Sequence, residues 1–176
     1  TCALSSESDE LKPFTLWQLR AQTRTQMMSY VIRSEGGQVI VIDGGMTGDA
    51  GHLAEFLEGL GNHVSAWFLT HPHDDHMDAL VAILQAPGDL RIDDLYASMP
   101  DREWMAKHGS QGELASYDRA CAVFEQSRHV PTELQLGQEF RIDGLLFEVL
   151  GIKNLEITAN PINNQSIILK LTGADR

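Results

Sequence analysis

Two nearly unbroken apolar runs constrain this chain most: "VIVID" at residues 39–43 and "VSAWFLT" at residues 64–70. A strand with one wet face alternates polar and apolar residues, so a run without alternation belongs to a strand covered on both faces. Between the two runs, Leu53, Phe56, Leu57 and Leu60 recur at helical spacing over residues 49–60, and Gly61 is a suitable helix stop. Further helices are predicted over residues 77–86, ended by "PGD", and over residues 113–128. Strands are predicted at residues 15–21, 27–34 and 93–98. After Pro131 the pattern changes. "TELQL", "QEFRI", "LLFEVLGI" and "QSIILKL" follow one another as strands, with Asp143-Gly144 as the turn of a hairpin. Helices interleaved early and consecutive strands late indicate an α/β domain of mixed β-sheets with outer helices.

Length and charge narrow the function. The 176 residues suit one domain, expected over residues 13–176 behind a polar, disordered tail at residues 1–12. With 13 basic and 25 acidic residues the net charge is −12. Such a surface repels a phosphate backbone, which argues against non-specific nucleic-acid binding but leaves open a phosphodiester substrate held locally by metal ions. The sequence contains no apolar run long enough to span a membrane. The opening residues lack the basic-then-apolar pattern of a signal peptide, so a cytoplasmic location is expected, with export after removal of a leader as the alternative. Two cysteines make no disulfide framework: Cys2 lies in the tail, and Cys121 is expected as a small buried residue in a helix.

Directly after the second apolar run comes "THPHDDHMDAL", residues 70–80, with three histidines and three aspartates. His71, His73, Asp75 and His76 form an H-x-H-x-D-H pattern of imidazoles and a carboxylate, ligand types that suit Zn²⁺ and also Mn²⁺ or Fe²⁺. Two histidines at i and i+2 in an extended loop share one side, and an Asp-His pair at the start of a helix can turn toward a second site. One short loop can thus furnish half the ligands of two adjacent metals, which together clamp a scissile bond. The plain alternative is a solvated loop that caps a helix. His52, His63, His108 and His129 carry no ligand spacing and are expected at the surface or at helix ends. Trp17 and Trp67 are expected in packing roles, and Trp104, in a loop-like segment, is the one tryptophan that could line a cleft.

The loop resembles the signature of the metallo-β-lactamase superfamily. "VIVIDGG" is similar to that superfamily's first motif, in which an aspartate (here Asp43) ends a buried strand before a glycine loop. "NNQSIILKL" resembles the Asn-x-Ser strand of the metallo-hydrolase domain of the bacterial competence DNA-uptake channel. The resemblance implies an αβ/βα sandwich, here truncated after the strand at residues 166–171. It implies that His71 and His73 ligate one metal, that Asp75 and His76 ligate a second, and that Asp43 orients the loop without binding metal. Two zinc ions would serve a complete domain, and a metal-activated water, oriented by Asp75 as the catalytic carboxylate, would attack an ester or phosphodiester of a small or nucleotide-like substrate. Asn163, Asn164 and Ser166 would lie near the cleft, and "RTQMMSY" (residues 24–30) could add small polar contacts near the site. Asp74 and Asp78 are expected to be bystanders, Asp74 exposed and Asp78 capping or solvating the helix start.

The chain also departs from that pattern. The superfamily carries a further metal-binding histidine near the end of the strand at "LLFEVLGI", where this chain has Leu150-Gly151, and its later aspartate and histidine have no counterpart up to Arg176. The isolated chain is therefore expected to be inactive, with the last strand an open edge able to pair with a second copy. A non-catalytic binding or scaffold module with a degenerate metal site is the competing reading.

Overall fold

The computed structural model describes residues 10–174. Its first sheet holds five strands: β1 (Phe14–Gln18), β2 (Ser29–Ser34), β3 (Val39–Asp43), β4 (His63–Leu69) and β5 (Arg91–Ala97), in that spatial order. The first three pair antiparallel, whereas β3–β4 and β4–β5 are parallel. The parallel pairs need crossovers, supplied by helices α1 (Ala50–Glu58) and α2 (Asp74–Gln85). Helices α3 (Arg102–His108) and α4 (Gln111–Ser127) follow. The second sheet is antiparallel: β6 (Glu139–Ile142), β7 (Leu145–Gly151) and β8 (Ile168–Thr172).

The two-residue period of the strands sorts the unbroken apolar runs into two cores. Val31, Val39, Val41, Trp67 and Leu69 pack with Leu53, Leu57, Met77, Leu80 and Phe124 of the helices. Their alternates Ile32, Ile40, Ala66 and Phe68 pack with Leu145, Phe147 and Val149 of the second sheet. Both faces of β3 and β4 are therefore dry, as the lack of alternation requires. An aromatic stack joins the sheets, with ring centroids 5.6 Å apart for Phe68–Phe147 and 5.3 Å for Phe140–Phe147. The result is the expected layering of two face-to-face sheets, with helices outside the first.

Several local expectations shift. "TELQL" is not a strand: Thr132 alone bridges to Tyr96, and Leu134 then turns into the core between the sheets. The segment does meet the open edge of β5 through Thr132, but leaves it where Leu134 turns inward, so no ladder extends. The segment containing Trp104 is helical, because the Asp101 side chain accepts the Trp104 backbone N–H at 2.8 Å as an N-cap. Trp104 is buried with Met105, Tyr117 and Ile162, and its Nε1 donates to the Leu155 carbonyl at 3.1 Å, so it is a packing residue and lines no cleft. Helix α1 ends before Gly59, two residues earlier than Gly61, and Gly61 (φ +104°) with Asn62 (φ +54°) turns the chain into β4. The Asp143-Gly144 hairpin has φ of +45° and +79°, the left-handed pair that a two-residue turn requires.

Most of the predicted tail, including Cys2, lies outside the described residues, as does Asp175. Lys12, its last residue, donates its N–H to the Gly144 carbonyl at 3.0 Å and its Nζ to Asp143 at 2.5 Å. Cys121 is half-buried on α4. Among the described residues, β8 pairs with β7 alone, and no helix is long and apolar enough to cross a membrane.

Candidate metal centre

The histidine loop lies where β4 stops and α2 begins. His73 occupies the N-cap position with extended backbone (φ −85°, ψ 151°), and its carbonyl accepts the N–H groups of His76 and Met77. His71 and His73 therefore stand on extended chain, while Asp75 and His76 stand on the first helical turn. Helix α2 starts three residues before the predicted residue 77, which is what aims the second pair differently from the first. The glycine loop after β3 clamps this turn: Gly44 N–H donates to the His76 carbonyl at 2.6 Å, and Ala79 N–H to the Gly45 carbonyl at 2.9 Å. A Cβ on Gly44 would come within 3.3 Å of the Leu80 backbone nitrogen, so the close approach leaves little room for a side chain.

Asp43 ends β3 with φ +59°, a left-handed conformation that aspartate tolerates. It is 2% exposed and organises the loop from below. Its Oδ1 accepts the Thr70 backbone N–H at 2.8 Å, and its Oδ2 lies 2.9 Å from Thr70 Oγ1 and 2.8 Å from His76 Nδ1. A carboxylate only accepts, so His76 carries a proton on Nδ1, which sets Nε2 on the side of Asp75 Oδ2, 3.7 Å away. Thr70 Oγ1 also touches His71 Nδ1 at 3.0 Å, and Ser166 Oγ reaches the same nitrogen at 3.1 Å from the second sheet's side. Asn163 also hydrogen-bonds His71.

The electrostatics follow from burial. Burial, and then the charges of His76 and His73, push the His71 pKa down to about 3, so this imidazole is neutral at physiological pH. At His76 burial works downward, but the hydrogen bond and charge of Asp43, with Asp75, outweigh it and raise the pKa above its ordinary value. Burial raises the Asp43 carboxyl although His76 and Thr70 pull it down.

The remaining donor atoms form two pairs. His71 Nε2 and His73 Nδ1 lie 3.0 Å apart, and Asp75 Oδ2 and His76 Nε2 lie 3.7 Å apart. Two ligands about 2.05 Å from a tetrahedral zinc are about 3.3 Å from each other, so both spacings lie near what one cation would draw together. The donor chemistry fits a divalent metal. The donor number is short: among the described residues no group of three or more His, Cys, Asp or Glu side chains is arranged to hold a metal ion, and a stable site takes three or four. Gly151, where the superfamily pattern has a further histidine, ends β7 opposite Ile168, and a Cβ there would meet Ile168 Cδ1 at 2.8 Å.

The other sequence candidates divide. Ser166 reaches His71, whereas Asn164 is exposed and ties its amide to the Ala159 and Asn160 carbonyls, shaping its own loop. Asp74 is exposed. Asp78 neither caps nor is solvated: it is buried, bound to Arg119 of α4 at 2.7 Å, and burial holds its carboxyl above the ordinary value. Sequence reasoning gave no role to Thr70 or Glu113, and placed Asn163 and the segment of Gln26 near the site without naming their partners. Gln26 Nε2 donates to Asp75 Oδ2 at 2.7 Å, and Glu113 Oε1 lies 3.1 Å from His73 Nε2. Glu113 had a readable signal, the Ser110-x-x-Glu113 capping box, but that pattern announces a helix start and not a neighbour of His73.

A family model described as the metallo-beta-lactamase superfamily matches residues 23–155. Zn(2+)-bound PqqB from Methylobacterium extorquens has a similar structure, with TM-score 0.53 and 12% identity over 84% of this chain and 50% of that one. The metallo-beta-lactamase fold protein YhfI from Bacillus subtilis gives TM-score 0.50 and 14% identity over 91% of this chain and 58% of that one. A mutant flavo di-iron protein from Thermotoga maritima gives TM-score 0.50 and 16% identity over 81% of this chain and 30% of that one. At such identities the likeness is one of fold. The chain spans between 30% and 58% of the length of these structures. No curated protein matches it.

Proposed function

The chain belongs to the metallo-β-lactamase superfamily, which includes metal-dependent hydrolases, and on that premise we propose that residues 13–176 carry the first ligand-bearing part of a metallo-hydrolase domain. The observation that carries this reading is the pairing of donor atoms: His71 with His73, and Asp75 with His76, with Asp43 hydrogen-bonded to His76 and to Thr70. His71 and His73 would hold one metal, and Asp75 and His76 a second; zinc suits the nitrogen-rich set, with manganese or iron as alternatives. When bound, such metals supply Lewis acidity and a water acidic enough to act as nucleophile near neutral pH. The protein's own part is orientation. Asp43 fixes His76, Thr70 and Ser166 hold His71, and Gln26 steadies Asp75, whose carboxylate is the group placed to orient the attacking water.

An ester or phosphodiester of a small or nucleotide-like molecule is the proposed substrate. The inclination toward phosphodiesters rests on the similarity of "NNQSIILKL" to the competence-channel domain, and the −12 charge disfavours long nucleic acids. A second reading, a non-catalytic scaffold with a degenerate site, is favoured by Gly151 and by the absence of any three-donor group among the described residues.

Zinc titration of the purified chain separates the two. The hydrolase reading expects zinc binding that falls in His71→Ala/His73→Ala and, independently, in Asp75→Ala/His76→Ala. No zinc bound at saturation, with folding unchanged in the first double variant, would establish the scaffold reading.

A further inference from the structure

Each of the three loop histidines has a partner behind it, and the partners differ in what they permit. Asp43 behind His76 is a carboxylate, so it accepts only. Thr70 and Ser166 behind His71 are hydroxyls whose protons go to Asp43 and to the Asn163 carbonyl, so toward His71 Nδ1 both act as acceptors. Behind His73 stands Glu113, its Oε1 3.1 Å from Nε2, reaching in from α4 forty residues along the chain. We infer that Glu113 is a positioning residue that holds His73 in the Nε2–H tautomer and so keeps Nδ1 bare, facing His71. This role rests on the metal-binding reading above and adds to it a residue outside the motif.

The carboxylate is well placed for this because the helix cap fixes it. Its Oε2 accepts the Ser110 backbone N–H at 2.6 Å, and Ser110 Oγ accepts the Glu113 N–H at 3.2 Å. One carboxylate oxygen is thereby committed to the cap, which aims the other at His73. Helix α4 is itself anchored on α2 by the Arg119–Asp78 pair at 2.7 Å and by buried Ala120 and Phe124. The aim of Oε1 therefore follows from the docking of two helices.

The cap alone does not call for a carboxylate, since glutamine closes a capping box as well. That difference supplies the test. In Glu113→Gln the amide oxygen is needed by the Ser110 N–H, so the amide NH₂ faces His73 Nε2. Donor would then meet donor, and His73 relieves the clash by moving its proton to Nδ1, the nitrogen required for metal. Glu113→Ala merely removes the bias. If Glu113 acts on the tautomer, glutamine is the more damaging substitution; if it serves only the cap, alanine is.

The experiment uses the 176-residue chain as wild type, Glu113→Gln and Glu113→Ala. Long-range ¹H–¹⁵N imidazole correlation spectra of the metal-free chain report the His73 tautomer. Competition against a chromophoric chelator reports the affinity for zinc alone. The expected result is Nε2–H in the wild type and Nδ1–H in Glu113→Gln, with zinc affinity lowered roughly 10–100-fold in Glu113→Gln and less in Glu113→Ala. An Nε2–H tautomer retained in Glu113→Gln, or a larger affinity loss in Glu113→Ala, would overturn the inference. A wild-type chain that binds no zinc would sink the proposed function, and the metal-free spectra would still decide the role of Glu113.

Discussion

Asp43 offers the sharpest energetic test, because one 2%-exposed carboxylate satisfies three donors: the Thr70 N–H, the Thr70 hydroxyl and His76 Nδ1–H, at 2.8, 2.9 and 2.8 Å. In Asp43→Ala all three lose their acceptor inside the protein, and removing one member of a buried pair costs about 3–5 kcal/mol. Alanine at φ +59° adds about 1–2 kcal/mol of left-handed strain that aspartate and asparagine largely escape. The sum is a large part of the roughly 5–15 kcal/mol that keeps a domain folded. Asp43→Asn keeps shape and backbone preference. Its oxygen can still accept the Thr70 N–H, its NH₂ faces His76, and the loss of charge-assisted bonds is partly offset by removing a buried charge, for a net loss of about 1–2 kcal/mol. His76 must then carry its proton on Nε2, the nitrogen that would face a metal.

Urea unfolding followed by circular dichroism measures the first effect, with an expected midpoint drop of roughly 0.5–1 M for Asp43→Asn at a slope near 2 kcal/mol/M. Zinc competition measures the second, with affinity lowered roughly 10–100-fold in Asp43→Asn. The role given to Asp43 is refuted if Asp43→Ala unfolds within about 1 kcal/mol of the wild type, or if Asp43→Asn binds zinc as the wild type does.

Other expected outcomes follow from the same contacts. Arg119→Ala removes the cation beside buried Asp78 and should cost about 1–3 kcal/mol near neutral pH, measured by urea unfolding. Burial raises the Asp78 carboxyl, so the stability linked to that group is fullest below the unfolded value of 3.8 and is lost as pH rises through the folded value; the Arg119→Ala deficit should therefore shrink in acid. Asp143 has the opposite sign. The Lys12 hydrogen bond and then the Ser34 hydroxyl hold its carboxyl below the ordinary value, so its contribution is present above 3.8 and lost as pH falls through the folded value. Asp143→Asn, which keeps the left-handed turn, should lower stability by about 1 kcal/mol at pH 7 after solvent screening, with the difference vanishing in acid titrations of the unfolding midpoint. Tyr117→Phe deprives the Pro100 carbonyl of a buried 2.6 Å hydrogen bond and should lower stability by about 1–2 kcal/mol in the same assay.

The layered architecture and the make-up of the histidine loop were legible in the sequence. "VIVID" and "VSAWFLT" could only be strands dry on both faces, because apolar side chains pointing both ways must be covered both ways, and the structure covers one side with helices and the other with the second sheet. Short-range signals were less complete. The N-cap of α3 escaped notice because a seven-residue helix shows barely two turns of periodicity, and this hid the burial of Trp104. "TELQL" read as a strand because alternation does not show that the chain leaves the β5 edge after one bridge, where Leu134 turns into the core.

Only tertiary structure decided which atoms of the loop meet and what stands behind them. His71 to Ser166 spans 95 positions, His73 to Glu113 spans 40 and Asp75 to Gln26 spans 49. None of these pairs has a local pattern, since each exists because two separately formed elements dock side by side. The tautomer of an imidazole depends on the group on its far side. That group is chosen by packing, so a motif can name the histidines while the fold sets which of their nitrogens is free.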